Sequence, residues 1–210
     1  MKVEIIIMVI GFHGKIGSGK SLIASICKEL LEESGLKVRV KSFAQPIYDV
    51  ISELYEMDVD EIKTHKRKGT TLFIDSKGKE ISHSELYKTS NFREILQTIG
   101  NGMRNYGHEN VFVDSLFGTF TEKIIDDWMD GVKPWIIDDL RYPNEAERIR
   151  SLDCGKLFKI VREKSEDNSH QAETSLEDWE DWDYIIENNW PNLEVSKQEN
   201  KRLLKEVLEI

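Results

Sequence analysis

The stretch Gly14-Lys15-Ile16-Gly17-Ser18-Gly19-Lys20-Ser21 has the spacing G-x-x-x-x-G-K-S. This is the pattern of a loop that cradles the phosphates of a nucleoside triphosphate. Its glycines permit backbone conformations closed to other residues, so successive N–H groups can turn inward around an anion. The next helix would point its positive end at the same anion, Lys20 would reach the outer phosphates, and the Ser21 hydroxyl would ligate Mg²⁺. A second group is Asp138-Asp139, with Arg141 two residues on. Carboxylates at the end of an apolar strand can hold Mg²⁺ opposite Ser21, or they can simply cap the helix that follows. Arg141 would point into the same crevice. Arg93 and Gln97 lie four apart and Arg104 seven further on. On a helix such residues share a face that can offer guanidinium and amide groups to a ligand. From spacing alone, an ordinary solvated face reads equally well.

Positioning these groups requires strands and helices in a fixed order. The run Glu4–Ile10 reads as a buried parallel strand and Leu22–Ser34 as the helix after the loop. Gly35 reads as a helix stop and Leu36–Phe43 as a second strand, in which Lys37, Arg39 and Lys41 give one wetter face. Pro46 opens a helix to about Tyr55, and residues 58–84 read as polar and irregular, with a hairpin at Thr70–Ile74 and Glu80–Ile81. A longer helical pattern covers residues 85–104, and Asn110–Met129 is helical overall. Trp135–Asp138, Lys156–Arg162 and Tyr184–Ile186 supply three more strands, with a helix at Pro143–Leu152. Ser196 and Glu199 form a capping-box pattern that opens the last helix. Alternating strands and helices behind such a loop predict an α/β fold: a five-stranded parallel sheet with helices on both faces. Insertions follow the second strand (residues 45–107) and the fourth. The acidic segment 163–181 is short of periodicity and reads as a lid.

Composition narrows the classes. A chain of 210 residues fits one α/β domain with an insertion, and 39% hydrophobic residues suffice for a sizeable core. A net charge of −10 argues against broad binding to nucleic acid or anionic membranes. Two cysteines, Cys27 and Cys154, lie in no metal-ligand spacing and imply no disulfide, which points to a reducing cytoplasm. The apolar N-terminus is short, carries Glu4 and runs into the loop, so neither a signal peptide nor a transmembrane segment is expected.

The run Asp139-Leu-Arg-Tyr-Pro-Asn-Glu145 resembles the D-x-R-[FY]-P-N-E signature of the phage deoxynucleoside monophosphate kinases. Ser42-Phe-Ala-Gln-Pro46, Arg93-Glu-Ile-Leu-Gln97-Thr-Ile-Gly100, His170-x-x-Glu173 and Asp183-x-x-Ile186-x-Asn188 are similar to further segments of that family, in the family's order. Asn101 departs from the usual Thr, and Ala172 stands where the family has a lid serine. The resemblance implies a P-loop kinase fold, ATP as phosphoryl donor, Mg²⁺, and a deoxynucleoside monophosphate as acceptor. It implies Arg93, Gln97, Gly100, Asn101, Arg104 and Asp139 as acceptor contacts. It also implies Arg162 as the arginine that closes over the transferring phosphoryl group. It admits a homodimer, and a host-cell cytoplasmic location if the chain is phage-encoded. Within the same class, a dephospho-coenzyme A or phosphomevalonate kinase type is the rival. From another class, a P-loop ATPase or switch protein would hydrolyse slowly and take no small acceptor.

Overall fold

The computed structural model describes residues 8–68, 92–118, 127, 129–163 and 174–210. The chain divides into two compact units, one formed by residues 1–43 and 113–210 and the other by Ala44–Phe112.

The first unit is built on five parallel strands in the order β2-β3-β1-β4-β5. They are β1 (Met8–His13), β2 (Lys37–Lys41), β3 (Val132–Ile137), β4 (Gly155–Val161) and β5 (Tyr184–Glu187). The side-chain period of two divides the central strands between two faces. Ile10 and Phe12 of β1, Ile136 of β3, and Phe158 and Ile160 of β4 point to one face. There they meet Ile23, Cys27 and Leu30 of α1 (Lys20–Glu33), and Leu204 of the C-terminal helix. Gly11 points to the other face, against Leu140, Leu157 and Ile149 of the helix Pro143–Arg150. The fold is therefore α/β, with a five-stranded parallel sheet covered by helices on both sides.

β1 runs on through Gly11, Phe12 and His13 rather than ending at Ile10. β2 is an edge strand whose basic residues do not form the expected wetter face. Asp127, only 2% exposed in its side chain, pairs with Arg39 and, at 3.1 Å, with Lys41; Lys41 also lies over the Trp135 ring, while Val40 is exposed. An acidic partner from a distant segment thus holds Arg39 and Lys41, while Lys37 stays exposed.

The second unit contains α2 (Gln45–Tyr55), α3 (Val59–Lys68) and α4 (Phe92–Gly102), the last continued by a π-helical turn at Met103–Gly107. α3 falls where the sequence reads as irregular. It buries only Ile62, so it lacks an apolar stripe. It does carry Asp60 and Glu61 in its first turn and His65 to Lys68 in its last, the arrangement that the helix dipole favours. The expected hairpin at 70–81 lies outside the described residues, as does most of the segment 163–181.

The C-terminal helix α6 (Leu193–Leu208, after α5 at Pro143–Arg150) starts three residues before Ser196. Asn192 is its cap, accepting from the Val195 N–H at 3.0 Å, so Ser196 is not the capping residue. Ser196 is buried inside the helix instead, with a partner on β5's exit. Among the described residues no helix is long and apolar enough to cross a membrane.

Candidate functional site

One residue past the carboxyl end of each strand lies a residue of chemical interest. Gly14 follows β1, Ser42 follows β2, Asp138 follows β3, Arg162 follows β4 and Asn188 follows β5. β1 and β3 pair directly, with Gly11 beside Ile137, yet their following helices α1 and α5 lie on opposite faces of the sheet. That is a topological switch point, the place where open α/β sheets bind ligands.

The loop from Gly14 to Ser21 bridges β1 and α1. A Cβ on Gly14 would come within 2.5 Å of the Ile160 carbonyl and 2.6 Å of Ser18 Oγ, so no side chain fits there. Gly17 and Gly19 have φ of +78° and +99°, and Gly19 is the N-cap of α1 with no capping side chain. The N-cap itself therefore supplies no side-chain acceptor to the first N–H groups of the helix, which suits an anion site. Ser18 is 1% exposed, and its Oγ has no hydrogen-bond partner among the described residues. A buried hydroxyl left so is costly unless a ligand supplies the partner. Lys20 folds back over the loop, donating to the carbonyl of Gly14 and, at 2.9 Å, to that of Lys15. Its ammonium thus lies at the loop. Ile16 is half-buried and Ser21 exposed.

Arg162, just before the segment 163–181, and Glu177, near its end, also meet the loop. Arg162 Nη1 donates to the Gly17 carbonyl at 3.3 Å, and Glu177 pairs with Lys15 at 3.2 Å beside a fully buried Leu176. From β5, the Asn188 Nδ2 donates to the Ser18 carbonyl at 2.8 Å.

At the exit of β3, Asp139 is tied to the end of β2. Its Oδ2 accepts from Ser42 Oγ at 2.6 Å and its Oδ1 from the Phe43 N–H at 3.0 Å. Asp138 is half-buried beside it. The buried Glu145 accepts from the N–H groups of Arg141 and Tyr142 at 2.8 and 3.1 Å, which fixes the backbone of the Asp139–Glu145 turn. Among the described residues no three His, Cys, Asp or Glu side chains gather into a self-sufficient metal cluster. The hard oxygen donors of Ser21 and the Asp138-Asp139 pair suit Mg²⁺, which usually takes only one or two carboxylates and completes its shell with phosphate and water.

His13 lies at the start of the loop, 4% exposed and stacked on Trp182 with centroids 5.4 Å apart. Burial pushes its pKa down from 6.5 to about 4; the positive charges of Lys20, Lys159 and Arg141 push the same way, against the Leu140 hydrogen bond. The neutral imidazole therefore senses both Lys20 of the loop and Arg141 of the β3 exit. Cys27, under the loop in α1, has its thiol pushed up to about 12 by burial and is inert at neutral pH.

Within the second unit, Arg93, Gln97 and Asn101 are half-buried along one side of α4. Gly100 is buried on α4, and a Cβ there would come within 3.1 Å of Ile47 Cδ1 on α2. Arg104 lies in the π-helical turn Met103–Gly107, with its Nη1 3.5 Å from the Gly100 carbonyl and its guanidinium over the Phe112 ring at 4.3 Å from the centroid.

Asn188, Ser42 and Glu145 are the contributors that residue-level reasoning left without a role. The first two follow strands directly, and that position in a parallel sheet was the available signal.

Compared with models of known protein families, the chain matches none. It is similar to a protein of Acanthamoeba polyphaga mimivirus that bears the name "Putative deoxynucleotide monophosphate kinase". The two are 28% identical over 187 residues, which cover 87% of this chain and 89% of that relative.

Proposed function

We propose that this chain is a Mg²⁺-dependent kinase that moves the γ-phosphoryl of ATP onto a deoxynucleoside 5′-monophosphate. The observation that carries the reading is the loop Gly14–Ser21, with its uncapped helix start, partnerless Ser18 hydroxyl and overlying Lys20. The likeness to the mimivirus protein over most of both chains supports the deoxynucleotide acceptor.

In this reading the loop N–H groups and the start of α1 hold the β- and γ-phosphates, and Lys20 exchanges its two carbonyl partners for phosphate oxygens. Ser21 and one of Asp138 and Asp139 would hold Mg²⁺, which would neutralise phosphate charge when bound. The acceptor's phosphate oxygen attacks the γ-phosphorus as the bond to ADP breaks. Arg141 and Arg162 offset the charge spread over the transferring group. Arg93, Gln97, Gly100, Asn101 and Arg104 of the unit Ala44–Phe112 orient the acceptor, and the segment 163–181 serves as a lid that excludes water.

A coupled assay of ADP release from ATP, run with each of the four deoxynucleoside monophosphates, tests the reading. Stimulation by one or more acceptors is expected. Slow ADP release that no monophosphate accelerates would replace the kinase with an ATPase or switch protein.

A further inference from the structure

The phosphate loop is usually described through its own residues, but here a buried polar cluster from the far end of the chain holds one of its peptide groups. Asn188, 4% exposed, donates from Nδ2 to the Ser18 carbonyl at 2.8 Å, a bond that spans 170 positions. Its Oδ1 is engaged twice, by Ser196 Oγ at 2.9 Å and by Asn200 Nδ2 at 3.1 Å. Asn200 is 0% exposed and also donates to Ser196 Oγ at 3.1 Å. Two donors on one side of the amide leave its NH₂ only one orientation, toward Ser18. The backbone of Asn188 is pinned as well, its N–H donating to the Val161 carbonyl at 2.8 Å.

The consequence follows from peptide geometry. In a planar trans peptide the C=O and the next N–H point in opposite directions. Holding the Ser18 carbonyl toward Asn188 therefore turns the Gly19 N–H away from Asn188. The opposed contact is tight: a Cβ on Gly19 would sit 2.3 Å from Asn188 Nδ2. Gly19, at φ +99°, is thus required both by its backbone conformation and by the amide against it. A neutral amide suits this task, because a carboxylate in its place would face the Ser18 carbonyl with like partial charge and add a negative charge behind the phosphates.

From this we infer that Asn188, oriented by Ser196 and Asn200, is a positioning residue that presets the Ser18–Gly19 peptide for phosphate binding. The inference rests on the phosphate-loop reading of Gly14–Ser21. It adds that the loop's geometry is controlled from the β5 exit and α6.

The test is equilibrium titration with inorganic tripolyphosphate and with Mg²⁺ and a non-hydrolysable ATP analogue. The wild-type chain is compared with Asn188→Ala, Asn188→Asp and Ser196→Ala. Leu204→Ala is the control, since Leu204 is fully buried in α6 within the apolar cluster and its side chain makes no hydrogen bond to Asn188 or Ser18. Asn188→Ala should weaken both probes about tenfold, the scale of one lost buried hydrogen bond, and Asn188→Asp should weaken them more. Ser196→Ala keeps the bond to Ser18 and should weaken binding by only about two- to threefold; it remains informative if the Asn188 variants fold poorly. Leu204→Ala should lower Tm without a matching loss of affinity. Unchanged tripolyphosphate affinity in Asn188→Ala and Ser196→Ala would overturn the inference. So would an equal affinity loss in Leu204→Ala, which would reduce the effect to general stability. Failure of the wild-type chain to bind either probe would instead overturn the phosphate reading, and this inference with it.

Discussion

The imidazole of His13 donates from Nδ1 to the carbonyl of Leu140, 3.0 Å away and 127 positions later in the chain. Leu140 stands between Asp139 and Arg141, so this bond joins the entrance of the phosphate loop to the carboxylate turn. It requires the neutral ring to carry its proton on Nδ1. The folded pKa, about 4, lies below the unfolded value of 6.5. Between those values the unfolded chain binds more protons, so His13 favours unfolding increasingly as pH falls. Its contribution to stability is fully present above pH 6.5 and is lost toward pH 4, by about 3 kcal/mol. Denaturant unfolding at several pH values should show this slope, and His13→Asn should flatten it between pH 6.5 and about 4. Parallel pH profiles for the two proteins would rule the assignment out.

Lys20→Ala should abolish phosphoryl transfer and leave the fold intact. The ammonium bonds the Gly14 and Lys15 carbonyls, and the side chain is half-buried and no part of the apolar cluster under α1. Tm should shift by no more than a few degrees, the scale of about 0.5 kcal/mol in a domain of this size. Normal ADP release by this variant would remove the phosphate role of the loop.

The two carboxylates at the β3 exit should separate under substitution. Asp139 holds Ser42 and the Phe43 N–H, so Asp139→Asn turns an amide N–H or a weaker acceptor toward one of those donors. It should cost about 1–3 kcal/mol of stability. Asp138→Asn should raise the Mg²⁺ concentration needed for half-maximal activity, as expected of a carboxylate that serves the metal. The comparison is a pair of thermal melts and a pair of Mg²⁺ titrations. A shifted Mg²⁺ requirement in Asp139→Asn alone would give the metal to Asp139.

Much of this layout was legible in the chain because it depends on local pattern. Short apolar or alternating runs marked the strands, and Gly35, Pro46 and Pro143 marked helix ends through fixed backbone rules. What escaped depends on distant partners. The Ser-x-x-Glu pattern at Ser196 is a sound local signal, but Asn192 caps the helix and Ser196 serves Asn188 eight residues away. Lys41 and Arg39 read as solvated until Asp127 is brought beside them. α3 has no apolar stripe to announce it. In the candidate site, the loop was readable from spacing alone; the bonds that set its peptide planes come from β4 and β5, and no spacing rule reaches them.

Arg93→Ala should separate the acceptor from the donor. Arg93 is a half-buried residue of α4 in the unit Ala44–Phe112, whereas the phosphate loop belongs to the sheet unit. A guanidinium paired with a monophosphate makes a charge-assisted and often bidentate contact, which alanine cannot replace. The loss in kcat/KM for the deoxynucleoside monophosphate should be on the order of 2–4 kcal/mol, roughly 30- to 1000-fold. Affinity for ATP should stay within about twofold, because nothing in the loop or around Lys20 is altered. Arg93→Lys keeps the charge but loses the fork, so it should recover only part of the acceptor efficiency. Steady-state kinetics with one substrate varied at saturating concentrations of the other gives both numbers. Equal losses for ATP and acceptor would make Arg93 a structural residue of α4, and no loss at all would move the acceptor's phosphate to another cation.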